Sequence, residues 1–247
     1  MIFVTGDCHS NFTKFTKRNF EEQRDMTHDD YVLICGDFGG IWDGSDAENS
    51  NLDQLNNRPF TTLFVDGNHE NFDLLATFPV EEWHGGKVHR IRPNILHLMR
   101  GQLFDIDGIT FFTMGGAASH DIQDGILDPD DPLFKAKYAR YRRENRMFRV
   151  KGRSWWPEEL PSDAEYEEAL ATLEKANWKA DYVISHCAPS GTVSQLGDWL
   201  ETDRLTDFFD EISKKLEFQY WLFGHYHENG QIGQNHVVLY DEILRIE

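Results

Sequence analysis

Five short polar motifs follow apolar runs in a fixed order along this 247-residue chain: Gly6-Asp7-Cys8-His9, Gly36-Asp37, Gly67-Asn68-His69-Glu70, Ser185-His186 and Gly224-His225-Tyr226-His227. The runs before them are Ile2-Phe3-Val4, Tyr31-Val32-Leu33-Ile34, Thr62-Leu63-Phe64-Val65, Tyr182-Val183-Ile184 and Tyr220-Trp221-Leu222-Phe223. Runs this short, rich in β-branched and aromatic residues and mostly closed by glycine, read as buried strands. The motifs therefore stand at strand C-termini. In open α/β sheets the loops leaving neighbouring strands converge at that edge, and a glycine lets the backbone turn sharply and approach a bound group. Residues far apart in sequence are thus expected to become neighbours.

The polar residues so placed are Asp7, His9, Asp37, Asn68, His186, His225 and His227, a mixture of carboxylate, amide oxygen and imidazole. Thiolate cages suit structural zinc, whereas mixed nitrogen and oxygen ligation suits catalytic divalent ions such as manganese, iron or zinc. Seven donors exceed the needs of one tetrahedral site. Two ions that share one carboxylate would use them all.

On these motifs the chain resembles the calcineurin-like metallophosphoesterases, whose pattern runs Asp-x-His, Gly-Asp, Gly-Asn-His-(Asp/Glu), His, Gly-His-x-His. The resemblance spans residues 6 to 227, with all five blocks in order. It implies a four-layer α/β/β/α sandwich of two mixed sheets flanked by helices, of the small single-domain bacterial type. By position it also implies that Asp7, His9 and His227 hold a first metal, that Asn68, His186 and His225 hold a second, and that Asp37 bridges them. The cofactors expected are two divalent ions, Mn2+ foremost, with Fe or Zn as alternatives. Such a pair lowers the pKa of a shared water toward neutrality, and the resulting metal-bound hydroxide would attack phosphorus of a phosphodiester or phosphomonoester. Catalysis would rest on Asp37 and on His69, which would stabilise developing charge or protonate the leaving oxygen, with Glu70 or another carboxylate orienting its ring.

Two departures from the pattern narrow the substrate. Gly36-Asp37 is followed by Phe38-Gly39-Gly40, so a further carboxylate common in the family is missing. Where the protein Ser/Thr phosphatase branch places an arginine ahead of its asparagine block, Asp66 stands, and a carboxylate does not bind phosphate as an arginine does. A phosphate-ester small molecule or nucleotide is the expected substrate. The competing reading is a metal-binding scaffold of the same fold acting in protein–protein interaction; such relatives lose the histidine of the asparagine block, and His69 is present. A serine hydrolase is unsupported, since no Gly-x-Ser-x-Gly turn occurs.

Net charge is −19, which argues against binding of extended nucleic acid. Its distribution is uneven. Residues 135–153 carry nine lysines and arginines against one acid, leaving −27 for the rest. With Tyr138, Tyr141 and Phe148 among the cations and Trp155-Trp156 after them, this reads as a basic, aromatic insertion or lid at about 119–160 that grips an anionic substrate and stacks on a base. Gly115-Gly116-Ala117, Arg149 and Trp155-Trp156-Pro157-Glu158-Glu159 recur in that order in some bacterial members. Arg146, Arg149 and His120 are the candidate substrate-binding residues. Asp121 to Lys137, with its prolines and aspartates, reads as the most flexible part.

No apolar stretch approaches the ~20 residues needed to span a bilayer, and no signal core opens the chain. A cytoplasmic enzyme of one domain, 1–247, is expected. Oligomeric state is not legible. Three cysteines make no disulfide framework; Cys8, Cys35 and Cys187 read as small buried residues.

Between the motifs, residues 11–24 read as a helix with Phe12, Phe15 and Phe20 buried, and 46–57 and 70–77 as weaker helices. Short strands are expected at 88–91, 95–98, 102–106 and 109–114, all in the second sheet. Ser162 and Glu165 form a capping-box signature for a helix to about Asn177. A further helix is expected over 202–216, with strands near 236–240 and 243–246.

Overall fold

The computed structural model describes residues 1–197 and 199–246. The first sheet is built on β1 (Ile2–Thr5), β2 (Tyr31–Ile34) and β3 (Thr61–Phe64), all parallel. It is extended by β4 (Val80–Trp83), β5 (Gly86–Arg92) and β6 (Ile95–Leu98). The second sheet contains β7 (Gln102–Ile106) and β8 (Ile109–Met114). A two-stranded ribbon, β9 (Ile126–Leu127) and β10 (Arg149–Val150), stands apart from both sheets. The second sheet is completed by β11 (Tyr182–Ser185), β12 (Tyr220–Phe223), β13 (Gly230–Ile232) and β14 (His236–Val238), and the last strand, β15 (Ile243–Arg245), returns to the first. The strand orders are β15-β1-β2-β3-β6-β5-β4 and β13-β14-β12-β11-β8-β7. Both sheets are mixed, as expected.

Strand alternation explains the layers. Successive side chains point to opposite faces, and in these strands both faces are apolar. On β1, Ile2 and Val4 enter a core shared by the two sheets, with Leu33, Leu63, Phe104, Phe111, Ile184 and Leu222. Phe3 between them enters a different core, with Val32, Ile34, Phe60 and Phe64, under helix α1 (Asp46–Asn56) and the single turn α2 (Phe72–Leu75). On the far side Phe112, Val183 and Trp221 form a third core, with α4 (Asp163–Lys175), α5 (Ser190–Leu196) and α6 (Arg204–Ser213). Three apolar interfaces separate four layers. The expected α/β/β/α sandwich is the observed architecture.

Two expectations are corrected. Residues 11–24 form no continuous helix but two 3-10 turns, Phe12–Phe15 and Glu21–Asp25. Side-chain amides take backbone carbonyls that a helix would need: Asn19 Nδ2 donates to Thr13 O, and Gln23 Nε2 to Phe15 O and Phe20 O. The phenylalanines are nonetheless held inward, Phe15 and Phe20 fully. The strands over 88–91 and 95–98 join the first sheet, because β6 pairs in parallel with β3 while β5 and β4 fold back antiparallel. Alternation alone does not say which sheet a strand enters.

The remaining elements follow their local signals. Ser162 and Glu165 exchange the reciprocal bonds of a capping box at the start of α4. The basic stretch contains α3 (Phe134–Arg143), none of whose side chains is buried. Cys8, Cys35 and Cys187 are buried free thiols, and burial pushes Cys8 up to about 12. Among the described residues no helix is long and apolar enough to cross a membrane.

Asp66, the residue that departs from the phosphatase pattern, closes β3 as a buried structural charge. Arg100 Nε and Nη2 donate to its Oδ2 at 2.9 and 2.5 Å, and His97 Nε2 lies 3.1 Å from its Oδ1. Arg100 Nη2 also donates to Glu158 O at 2.7 Å, and Gly116 N donates to Asp66 O, so this pair ties the first sheet to the loop 115–120. Breaking a buried pair strands the remaining charge. Arg100→Ala is expected to lower the unfolding free energy by about 3–5 kcal/mol, read from urea denaturation; a loss below 1 kcal/mol would contradict the tie.

Candidate metal centre

The parallel strands β1, β2 and β3 point their C-termini the same way, as do β8, β11 and β12, and the loops leaving these edges meet between the sheets. Backbone bonds join the first two loops: Cys8 N to Asp37 O (3.0 Å), His9 N to Asp37 O (2.8 Å) and Ser10 N to Phe38 O (3.0 Å). His69 N donates to Asp37 Oδ1 at 2.8 Å and His225 N to Asp7 Oδ1 at 2.9 Å. Thus each carboxylate is aimed by a motif from another strand. Two glycines make the approach possible. A Cβ on Gly67 would meet Asp37 Oδ1, and Gly36, at φ 88°, lies against the His186 ring.

The side chains converge. His227 Nε2 lies 3.1 Å from Asp7 Oδ2 and from His9 Nε2, and His9 Nε2 lies 3.5 Å from Asp7 Oδ2. Asp37 has one oxygen on each side of the centre: Oδ2 is 3.6 Å from His9 Nε2, and Oδ1 is 3.2 Å from His186 Nε2. Three donor groups result, Asp7-His9-His227, His9-Asp37-His69 and Asp7-Asp37-His186, each with donor atoms within 4.8 Å of one another. The His225 ring stands 4.9 Å from that of His186, and the His120 ring 4.5 Å from that of His225. His120 therefore lies beside the cluster.

Whether these residues suit cations is answered by their unused lone pairs. Among the described residues Asp7 Oδ2, Asn68 Oδ1 and His186 Nε2 are buried and find no hydrogen-bond partner, a condition that proteins rarely tolerate without a ligand. Each is turned inward by a partner on its other atom. His186 Nδ1 bonds Cys35 O at 2.8 Å, and Asn68 Nδ2 donates to Ser119 Oγ at 3.3 Å. Burial opposes charge on His186, but Asp37 and Asp7 outweigh it and raise its pKa to about 10. Burial would likewise raise Asp7 and Asp37, yet the imidazoles around them hold both below the ordinary carboxylate range. The cluster is built to bear positive charge at its centre. His9, Asp37, His225 and His227 all adopt positive φ, between 45° and 69°, a conformation that ordinary residues keep where the surroundings impose it.

His69 is placed differently from its expected orienting partner. Glu70 does not touch its ring; the buried Glu70 carboxylate accepts from Phe38 N at 2.8 Å and from Gly39 N, bracing the loop after Asp37. The ring contact is Arg149 instead, whose Nη2 donates to His69 Nε2 at 3.2 Å while its Nε binds both Asp121 oxygens. Burial lowers the His69 pKa; Asp37 opposes this and Arg149 adds to it. Arg149 thus joins the site. Arg146 does not: its guanidinium is engaged by Glu144 and Asp124 and lies over Tyr141, all within its own segment.

Three supports carry no motif signal. Lys14 Nζ donates to Gly6 O, Asp7 O and Tyr240 O, cradling the first loop from below. Ser119 orients Asn68. Glu159 accepts from Ser119 N through Oε2 at 3.2 Å, while its buried Oε1 has no partner among the described residues.

The fold and the centre define a class: a layered α/β/β/α sandwich whose sheet edges gather Asp and His side chains that could hold metal ions. The calcineurin-like phosphoesterase model matches residues 1–229, and the chain belongs to that family. Among curated proteins it is 25% identical to a lariat debranching enzyme of Saccharomyces cerevisiae over 255 residues, 92% of this chain and 56% of that protein. Its identity is 21% to a lariat debranching enzyme of Schizosaccharomyces pombe, with 92% and 48% covered. With lariat debranching enzyme A of Xenopus laevis it is 24%, with 61% and 30% covered. The chain spans about half, or less, of the length of the curated relatives it matches.

Burial lifts Glu159 from the ordinary 4.5 to about 8. A carboxyl raised in the folded state favours folding below its unfolded pKa, and that contribution is lost as pH climbs from 4.5 through 8. Glu159→Gln should therefore gain stability relative to the parent between pH 5 and 8, compared by denaturation of metal-free protein. A difference that stays flat with pH would refute the assignment.

Proposed function

We propose that this chain is a dinuclear, metal-dependent phosphoesterase that cleaves a phosphodiester. The observation that carries the reading is the convergence of buried, unpaired lone pairs on Asp7, Asn68 and His186 around the two-faced carboxylate of Asp37. In it Asp7, His9 and His227 hold one ion, Asn68, His186 and His225 the other, and Asp37 both. Two bound divalent cations would polarise the phosphoryl oxygens and lower the pKa of a water toward neutrality. Manganese, iron and zinc all accept this donor set.

The protein's own groups do the rest. Arg149, held by Asp121, presents its remaining N–H face beside His69, where a phosphate oxygen would take its charge-assisted bond. His69 has Nε2 free of a proton while it accepts from Arg149. Once a phosphate claims Arg149, that nitrogen is released to take up a proton from solvent, which it delivers to the leaving oxygen. A diester is favoured over a monoester because its leaving group needs such a proton, and because the relatives above are named for debranching lariats. The scaffold alternative is disfavoured by the presence and placement of His69.

Purified protein loaded with manganese should hold two ions per chain, lose activity to a chelator, and hydrolyse bis-p-nitrophenyl phosphate faster than p-nitrophenyl phosphate. His69→Ala should keep both ions and lower kcat by about 10²–10⁴-fold, whereas Asp37→Asn should lose metal as well as turnover. Wild-type turnover in His69→Ala, or a chain that retains no divalent metal after dialysis, would end the proposal.

A further inference from the structure

A cavity of about 410 Å³ opens directly from the metal centre. His9 and His69 form its inner wall, and Ser10, Phe12, Gly39, Gly40, Trp42, Asp43, Ser45, Glu48 and Asn51 complete it. That volume lies at the small end of ligand sites and suits one ring system with little else. It lies apart from the cavity of the basic segment, which Tyr138, Tyr141, Arg142, Asn145 and Arg146 line.

Its chemistry is the opposite of that segment's. No lysine or arginine lines it, while Asp43 and Glu48 do. A second phosphate would be repelled here. Apolar contact comes from two aromatic faces, Phe12, which leans on Phe38 at 5.1 Å, and Trp42, which meets the edge of Trp156 at 5.6 Å.

Trp42 is held in place before any ligand arrives. Its backbone N–H donates to Glu48 Oε2 at 2.6 Å, its carbonyl accepts from Asn71 Nδ2 at 2.6 Å, and Trp156 is itself tethered to Asp73 Oδ2 through Nε1 at 2.8 Å. Glu48 also accepts from Asp43 N and Gly44 N, so the carboxylate is spent on the loop. Asn71 caps α2 with its other atom, accepting from Leu74 N. A half-buried tryptophan fixed on three sides beside a reaction centre loses little entropy on stacking.

We propose that this cavity is the subsite for the leaving-group arm of the substrate, and that the arm carries a planar, uncharged ring of nucleobase size stacked on Trp42. The placement follows from His69, which lines the cavity and faces the leaving oxygen. It rests on the phosphoesterase reading and adds to it a polarity: phosphate-rich parts of a substrate run toward Arg149 and the basic segment, and the ring runs toward Trp42.

The test uses direct binding, so that it does not depend on turnover. Titrate manganese-loaded protein with adenosine and with ribose by calorimetry, and measure inhibition by both during hydrolysis of bis-p-nitrophenyl phosphate. Adenosine should bind and compete, and ribose should do neither. Trp42→Ala should weaken adenosine at least tenfold, in keeping with the cost of removing an aromatic stacking partner, while keeping two ions per chain; Trp42→Phe should restore most of the affinity. If Trp42→Ala does not fold, Phe12→Leu is expected to weaken adenosine several-fold. Equal binding of adenosine and ribose, or equal adenosine affinity in wild type and Trp42→Ala, overturns the subsite. A protein that binds adenosine through Trp42 yet hydrolyses no phosphate ester would leave the subsite standing and defeat the phosphoesterase reading alone.

Discussion

Two buried carboxylates, Asp7 and Asp37, set the terms for everything around them. A carboxylate removed from water is costly unless countercharge and hydrogen bonds replace its hydration. Here the three imidazoles of His9, His186 and His227 and the backbone N–H groups of His69 and His225 do so. Those N–H groups come from loops on other strands, so the acids can exist in their charged form only when β1, β2, β3, β11 and β12 are all in register. The site and the sandwich are therefore one construction. The positive φ at His9, Asp37, His225 and His227 is the strain that this mutual dependence sustains.

Much of this was legible before any coordinates. Asp7, Asp37, His186 and His227 each follow an apolar run that ends in a turn, and a short continuous apolar run plus a ligand-bearing turn has one common place in an α/β sheet. His120, in the polar break after β8, and Arg149, marked by the Gly115-Gly116-Ala117 and Trp155-Trp156-Pro157-Glu158-Glu159 block around it, lie beside the centre. What stayed hidden depends on tertiary partners. The helix expected at 11–24 lost to side-chain amides of Asn19 and Gln23 that bond carbonyls locally. The sheet assignment of β5 and β6 depended on pairing order.

The same reasoning explains the misplaced supports. Glu70 sits beside His69 in sequence, but its carboxylate is taken by the backbone N–H groups of Phe38 and Gly39, a contact made across the fold that sequence neighbours do not reveal. Lys14, Ser119 and Glu159 act through backbone or hydroxyl contacts that leave no spacing pattern. Arg146 and Arg149 look alike in composition; only their carboxylate partners separate them, Asp121 holding one toward His69 while Glu144 and Asp124 hold the other away.

The β9–β10 ribbon and α3 contribute nothing to the three apolar cores apart from these points of attachment. A segment anchored so lightly is a module whose length and surface can drift without disturbing the ion-binding scaffold beneath. One guanidinium, Arg149, is the stitch that keeps such drift in step with the chemistry, and the same framework could accordingly be retailored to new esters by rewriting residues 122–148 alone.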